Sequence, residues 1–526
     1  MTAATQDRFG RVRLRLLEAL APLALVAATL AIHDVPAALR PPYWLDEAWV
    51  AASVRFPISD LPVVTSSTPL GWTALLRLVP GFDRLRLLPI AFLVLSVLAG
   101  YALAAVVRWP SRAHRIGAGL VTGLAVALLP AQQVRHDLKQ YTADAAVALL
   151  LLVVAGLVEA GGYPRQRLAL LLATASAGML VSHTTVLVGG CVVGGLLVAA
   201  LARGLRRQAV EVAVTGALML AVFVAGYAGL DRRGNNGAMD SYWQDFFPSV
   251  GHLPGFLGDR LTDLRPYLGV PWPVLLLLAA AGVVTVARLG RPALACGAAF
   301  LLPAAVLAGL AHQYPLLDLR TSHFLLVCLT AFATLGVAGL ATAAGGLLAR
   351  RSRAGGAVVA AVLAAAVLGG YVWATADWLR FGGTDPALGT RSPALTEDVR
   401  DPAAYVWAHR HPGDVVLVSG SAAFGFADYW PERPGHRPDP ATAVGWQPTY
   451  ADPAIVVSPG RDPAAIHAGL LEATGLAAKS GPGAVVWLIR SHQSGEEKVA
   501  WKAELATLTA RSTPSGPEPA VRIEAW

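Results

Sequence analysis

The chain has 526 residues, of which 55% are hydrophobic and 14% are charged, and its formal net charge is +8. A soluble globular chain carries roughly 25% charged residues, so the composition excludes a fully soluble protein. It indicates that the lipid bilayer surrounds much of the chain. Arginine supplies almost all of the positive charge among apolar segments, so we expect it to set topology or contact phosphate, with no nucleic-acid partner.

Apolar stretches long enough to cross a bilayer recur down to about residue 375. The first follows a basic flank, but no small-residue cleavage site follows it and further apolar runs do, so we predict a retained signal-anchor helix. In all we predict about eleven transmembrane helices. They lie near residues 16–33, 86–107, 115–131, 142–158, 168–181, 184–202, 209–229, 272–288, 293–311, 323–345 and 356–375.

Arginines cluster at the N-terminus and in alternate loops between the predicted helices. Cytoplasmic loops carry the excess of positive charge, so an eleven-helix count places the N-terminus in the cytoplasm and the C-terminal region outside. The arginine-rich, lysine-poor composition is typical of a GC-rich bacterial genome. We therefore predict a multi-pass protein of the bacterial cell membrane. The clusters are Arg8 to Arg15, Arg108 to Arg115, Arg165 and Arg167, Arg203 to Arg207, Arg288 and Arg291, and Arg350 to Arg353.

The chain divides into two predicted domains, an all-α transmembrane domain over residues 1–375 and a small extracytoplasmic α/β domain over residues 376–526. In the second, strand-length apolar runs alternate with helix-like stretches. We find no glycine-rich phosphate loop and no nucleophile elbow there, so we interpret this domain as accessory. The runs are 415–418, 454–457 and 484–489, and the helix-like stretches are 397–410, 463–478 and 495–510.

The loop after the first helix carries two adjacent carboxylates, Asp46 and Glu47, among aromatic residues suited to a membrane interface. One hypothesis gives them a catalytic role. The alternative is that Asp46 caps a short amphipathic helix beginning at Glu47, since aspartate is a good N-cap. The two hypotheses are compatible.

The loop before the fourth helix holds Lys139, the only lysine before residue 479. Asp144 lies about one turn inside the following apolar helix, where a carboxylate is costly unless it is paired or faces a polar cavity. The spacing places Asp137, Tyr141 and Asp144 on one helical face if the helix begins early. The alternative is a structural pair, Lys139 with Asp144 or Arg135 with Asp137.

A third loop, over residues 311–324, places Arg320 before the tenth predicted helix. A guanidinium there could bind a phosphate with its planar set of donors. It could equally anchor the chain at the interface or pair with Asp318.

Together these loops resemble those of the GT-C membrane glycosyltransferases, in the branch of protein O-mannosyltransferases and lipid A aminoarabinose transferases. Asp46-Glu47 matches the acidic pair of that branch's first external loop, and the run from Lys139 through Tyr141 to Asp144 looks like its basic/Tyr-x-x-Asp element. The element with Tyr314-Pro315 and Arg320 resembles another, and Pro69-Leu70 fits, although Thr68 stands where relatives often have histidine.

The resemblance implies inverting transfer of a sugar from a polyprenyl-phosphate donor to an extracytoplasmic acceptor, which is a cell-envelope glycan, a glycolipid or a protein. It assigns Asp46 as the general base, Glu47 as an orienting group, and Lys139 and Arg320 as ligands of the lipid phosphate. Because lysine and arginine can neutralise a monophosphate, we expect no obligatory metal or other cofactor. The wider substrate-binding set comprises Arg135, His136, Asp137, Tyr141, Asp144 and Tyr314.

Three other functions compete with this one. A secondary transporter would show internal repeats and polar groups near mid-membrane. A lipid-diphosphate-dependent polysaccharide polymerase or ligase would carry its catalytic loop late in the chain. In a membrane scaffold, Asp46, Lys139 and Arg320 need not converge in space.

Overall fold

The structure is a computed structural model. It describes residues 3–65, 68–132, 137–229, 242–349, 358, 361–366, 368–373, 398–439, 442 and 444–524. The predicted domain boundary at 375/376 lies outside these residues, as do Arg135 and His136.

Helices make up the described part of the N-terminal region. In chain order they are α1 (Ala3–Ile32), α2 (Val35–Leu39), α3 (Leu45–Val54), α4 (Leu61–Val64), α5 (Leu70–Leu76), α6 (Leu87–Ala105), α7 (Arg112–Leu128), α8 (Tyr141–Ala160), α9 (Arg165–Val181), α10 (Thr185–Ala202), α11 (Arg206–Gly229), α12 (Leu253–Asp263), α13 (Arg265–Leu268), α14 (Trp272–Arg288), α15 (Pro292–Leu310), α16 (His323–Ala349) and α17 (Ala361–Trp373).

Within the described residues, eight helical segments are long and apolar enough to cross a membrane, which confirms a multi-pass membrane protein. A helix satisfies its own backbone hydrogen bonds, as the absence of water inside a bilayer requires. The other three predicted crossings correspond to α7 and α9, of 17 residues each, and to the shorter α17. The count of eleven crossings therefore stays a prediction.

Two spans, α8 and α16, form the centre of the bundle. Within their most apolar stretches 83% and 78% of the residues are buried, against 22% in α11. Small residues bring α16 against α14, because a Cβ added at Gly282 would lie 1.8 Å from the carbonyl oxygen of Phe332. Such close backbone approach is how transmembrane helices pack without a hydrophobic driving force. The loops preceding α8 and α16 are thereby held on rigid helices.

Helices α2 to α5 fill the loop between the first two spans. The structure corrects one prediction here: α3 begins at Leu45 with Trp44 as its N-cap, so Asp46 lies inside the first turn and does not cap the helix. Residues from Glu47 to Val54 are buried, so α3 is a packed helix rather than an amphipathic one.

The C-terminal region contains the predicted sheet. The elements are α18 (Arg400–His409), β1 (Val415–Val418), α19 (Ala423–Tyr429), β2 (Gly435–Pro438), β3 (Trp446–Thr449), β4 (Ile455–Val457), α20 (Pro463–Ser480), β5 (Val485–Ile489), α21 (Gly495–Leu505), β6 (Ala510–Ser512) and β7 (Val521–Glu524). The strand order is β4-β1-β5-β7-β6, in which β4, β1 and β5 pair in parallel and β7 pairs antiparallel with both β5 and β6. A separate antiparallel pair, β2–β3, was not predicted.

The first loop and the C-terminal region share one hydrophobic core. Phe56 packs edge-on against Trp446, with ring centroids 5.2 Å apart, and Trp49 packs against Phe424 at 6.3 Å. These aromatic side chains are almost wholly buried. The C-terminal region is therefore packed into the loop that carries the two adjacent carboxylates.

Candidate active site

Asp46 and Glu47 occupy the first turn of α3, where the helix dipole favours negative charge. Adjacent helical residues point about 100° apart because one turn takes 3.6 residues. The two carboxylates accordingly have different partners.

Asp46 is shared by two cations from distant loops. The Arg320 guanidinium forms an ion pair with its Oδ2, and the Lys139 ammonium lies 3.7 Å from the same oxygen. Lys139 lies two residues before α8, and Arg320 lies three residues before α16. The structure thus brings together the three residues that the sequence singled out, at one end of the central helices.

Lys139 is almost fully buried, with 5% of its side chain exposed. Its ammonium lies 4.5 Å from the ring centroid of Trp49, one turn after Asp46 on α3, so a cation–π contact adds to the ionic one. The Asp137 carboxylate accepts a hydrogen bond from the Lys139 backbone amide at 3.1 Å. Asp137 therefore fixes the turn that presents the lysine.

The Arg320 loop is fixed in the same way. Asp318 accepts hydrogen bonds from the backbone amides of Arg320 and Thr321 at 3.0 and 2.9 Å, and the Tyr314 hydroxyl donates to the Thr321 carbonyl. Asp318 is thus bonded to the arginine backbone. The Arg320 side chain extends to Asp46 and to the Tyr242 hydroxyl, 3.0 Å away.

The Arg320 side chain is held in its protonated, charged form. Burial disfavours the charge, but Tyr141, Asp46, Asp137 and Asp318 together raise the pKa of the guanidinium well above its usual range. Arg320 is therefore a permanent cation whose charge is balanced by the carboxylates around it.

Glu47 turns inward and pairs with Arg86. The arginine Nε donates to Glu47 Oε1 at 2.8 Å, and its remaining N–H groups donate to the carbonyls of Pro41 and Pro42 at 2.6 and 3.0 Å. Both side chains are at least 96% buried. The pair anchors the start of α3 and so positions Asp46; direct contact of Glu47 with an acceptor stays a prediction.

Arg86 was missed by sequence reasoning. The sequence could have indicated it, because Arg86 lies at the start of an otherwise apolar helix, where an unpaired charge is energetically costly.

Tyr141 and Asp144 lie deeper, at the start of α8. Because α8 begins at Tyr141, Asp137 lies before the helix, and the predicted common face of the three residues does not form. Asp144 is buried and accepts from the Thr184 hydroxyl and amide at 3.4 and 3.5 Å. The alternative pair of Lys139 with Asp144 is not the one observed, since Lys139 contacts Asp46.

Comparison with known proteins rests on structure alone. No protein-family model matches the chain, and no curated protein sequence matches it. The crystal structure of ArnT from Cupriavidus metallidurans in the apo state matches with a TM-score of 0.53 and 16% identity, over 95% of this chain and 97% of ArnT.

The same protein bound to undecaprenyl phosphate matches with a TM-score of 0.53 and 15% identity, over the same shares of the two chains. An oligosaccharyltransferase from Archaeoglobus fulgidus matches with a TM-score of 0.45 and 10% identity, over 78% of this chain and 61% of that one. Over 95% of its length the chain therefore shares the fold of ArnT, a member of the GT-C superfamily that the loop motifs resemble.

Proposed function

We propose that the chain is a membrane glycosyltransferase that moves a sugar from a polyprenyl-phosphate donor to an extracytoplasmic acceptor, with inversion and with Asp46 as general base. The observation that carries the proposal is the convergence of Asp46, Lys139 and Arg320 at one end of α8 and α16. A carboxylate beside two fixed cations supplies a proton acceptor and an anion site within one small space.

The donor class is supported by the fold. ArnT shares this fold over nearly its whole length, and one of its structures holds undecaprenyl phosphate. A lipid monophosphate needs positive groups close to the membrane surface, and Lys139 and Arg320 lie two and three residues before the start of an apolar span. These two side chains are the phosphate ligands in our proposal, and the absence of an obligatory metal stays a prediction.

The reaction balances with these groups alone. The acceptor hydroxyl oxygen attacks the anomeric carbon, the bond from that carbon to the phosphate oxygen breaks, and its electron pair leaves with the lipid phosphate. Asp46 takes the hydroxyl proton, while Lys139 and Arg320 stabilise the negative charge on the departing phosphate. Attack from the face opposite the leaving group inverts the configuration.

The donor phosphate and Asp46 compete for the same two cations. Without the donor, Asp46 contacts both Lys139 and Arg320. A bound phosphate draws these two side chains to itself, which leaves the Asp46 carboxylate available to take the proton of the acceptor hydroxyl.

The remaining residues position the reacting groups. The Glu47–Arg86 pair holds the start of α3, Asp137 holds the Lys139 turn, and Asp318 holds the Arg320 turn. Tyr314 anchors the last of these loops, and Tyr141 and Asp144 form the inner wall. Arg135 and His136 remain predicted substrate ligands outside the described residues.

The geometry also bears on the competing functions. In a transporter the polar groups gather near mid-membrane, whereas Asp46 and its two cations lie at the helix ends. A scaffold gives no reason for three distant charged residues to meet. A diphosphate-dependent polymerase or ligase remains the second enzyme class to test, because two cations also suit a diphosphate.

The first experiment compares the purified wild type with Asp46→Asn in a transfer assay with a panel of polyprenyl-phosphate sugars. The substitution keeps the shape and removes the base, so we expect activity to fall by about 10² or more with folding preserved. Asp83→Asn, an exposed change in the same loop region, is the control. Equal activity in wild type and Asp46→Asn would move the base to Glu47 or Asp144. Turnover with diphosphate donors alone would favour the polymerase or ligase.

A further inference from the structure

A cavity of about 570 Å³ lies between the first loop and the C-terminal region. It opens beside Arg55, which follows the last residue of α3. At 1.5 Å per residue, nine residues of helix separate Arg55 from Asp46 by about 13 Å. The cavity is therefore distinct from the Asp46 site, although both use α3.

Three arginines line this cavity, namely Arg55, Arg77 and Arg433, and no acidic side chain is among the described residues that line it. Burial lowers the pKa of Arg55, and the charges of Asp428 and Tyr450 oppose this shift. The charge of Arg433 adds to the shift, so the two guanidinium groups are close enough to repel. Since no described carboxylate lines the cavity beside the three arginines, a bound anion would be attracted to their positive charges.

Two of these guanidinium groups are fixed by backbone carbonyls. Arg55 Nη1 donates to the carbonyls of Ala427 and Trp430 at 2.6 and 2.7 Å, and Arg77 Nη1 donates to that of Val54 at 3.1 Å. Neutral carbonyls hold the side chains in place and leave their positive charges in the cavity. Arg433 is exposed and supplies the adaptable third group.

Apolar residues border the cavity and lead directly into a helical segment apolar enough to cross a membrane. Phe82 forms part of its wall and is the first residue of an apolar span, and Leu85 and Phe56 add further apolar surface. Next to it, Ile58 and Leu78 are 71% and 77% exposed. Exposed apolar side chains beside cations are typical of the boundary between acyl chains and headgroups.

We propose that this cavity binds the phosphate headgroup of an anionic membrane lipid, with Arg433 and Arg77 contacting the phosphate and Phe56 and Phe82 contacting the adjoining apolar part. A free phosphate shares the charge but gains nothing from an apolar wall. The site does not depend on the transferase reaction, so it can be tested whether or not the proposed activity is found.

The test uses the full-length chain in detergent with dioleoyl phosphatidylglycerol or dioleoyl phosphatidylcholine, and native mass spectrometry reads the retained lipid. We expect phosphatidylglycerol to be retained and to raise Tm, and phosphatidylcholine to do neither. Arg433→Gln should weaken retention by about tenfold, the size expected for one charge-assisted contact. Arg433→Lys should keep most of it.

The matched control is Arg437→Gln, because Arg437 lies on the adjoining strand β2 and bonds Gln447 at 2.6 Å, away from the cavity. Equal retention of the two lipids, or equal losses in Arg433→Gln and Arg437→Gln, would overturn the proposal. Binding of inorganic phosphate that depends on Arg433, without retention of phosphatidylglycerol, would overturn the assignment to a lipid. Displacement of bound phosphatidylglycerol by millimolar phosphate would support headgroup recognition.

Discussion

The two ends of the helix bundle each hold a carboxylate–arginine cluster beside α8, and the two clusters are built differently. Near the C-terminal end of α8, Glu159 pairs with Arg203 at 2.8 Å. It also accepts hydrogen bonds from the backbone amides of Ala293 and Leu294, at 3.1 and 3.3 Å, at the start of α15. Only 1% of the glutamate side chain is exposed.

At the other end, the Asp46 carboxylate contacts the side chains of Lys139 and Arg320, and 14% of the aspartate side chain is exposed. Backbone amides at a helix start cannot leave a carboxylate, whereas flexible cationic side chains can turn to a new anion. The comparison separates a carboxylate that holds helices together from one whose partners a substrate can take over. Three measurements can break or sharpen this distinction.

The largest effect is expected for Arg320→Gln. Loss of a preorganised positive group at the departing phosphate should lower kcat/KM for sugar transfer by about 10² to 10³. Thermal unfolding should change little, because the loop remains fixed by Asp318 and Tyr314. Arg260→Gln, another arginine between apolar spans, is the control, and losses of equal size in both variants would contradict the assignment.

The second effect is on stability rather than turnover. Glu159→Ala leaves the buried amides of Ala293 and Leu294 without their acceptor, which should cost about 1–3 kcal/mol of unfolding free energy. Activity per folded molecule should match the wild type. A denaturant titration followed by the transfer assay measures both quantities. A large loss of turnover in folded Glu159→Ala would show that the two ends are not functionally separate.

The smallest effect concerns Asp428, another buried carboxylate, at the junction of the first loop and the C-terminal region. Burial raises its pKa to about 8, opposed by Arg55 and Arg86 and assisted by Asp83 and Glu47. Above about pH 4, near the ordinary pKa of an aspartate, the unfolded state has released the proton of Asp428 while the folded state still binds it. Stability from this group is greatest at acid pH and declines as the pH rises towards about 8.

Asp428→Asn should flatten that decline, and Tm measured across this pH range for wild type and variant checks it. If Tm falls equally with pH in wild type and variant, Asp428 is ionised in the folded chain. Its carboxylate would then resemble that of Glu159, which is charged and paired.

Much of the architecture was predictable because the elements are local. Each predicted crossing is an apolar run that must be helical in lipid, and strands such as Val415–Val418 are short buried runs between turn residues. The hairpin β2–β3 was not predicted because Gly435–Pro438 is polar and largely exposed. It therefore lacks the alternation of apolar and polar residues that indicates a strand.

The site was predictable only through short motifs. Asp46, Lys139 and Arg320 were named from their loops, but nothing local in the sequence indicates that one oxygen of Asp46 meets both cations. The Glu47–Arg86 pair shows the same limit, since residues 39 positions apart are joined by tertiary packing alone. Trp44 as N-cap was also unforeseen, because its side chain offers no oxygen to the helix start.

The shared core of the first loop and the C-terminal region has a consequence for biogenesis. The loop that carries Asp46 leaves the ribosome early, but the carbonyls that hold Arg55 and the aromatic partners of Trp49 and Phe56 are made more than 360 residues later. On the predicted topology, this loop lies at the outer surface without its C-terminal packing partners while the later spans insert. The proposed catalytic end of the molecule is thus completed last, and a ribosome that stops before α19 releases a chain that has all the predicted membrane helices but lacks the partners that pack against its first loop.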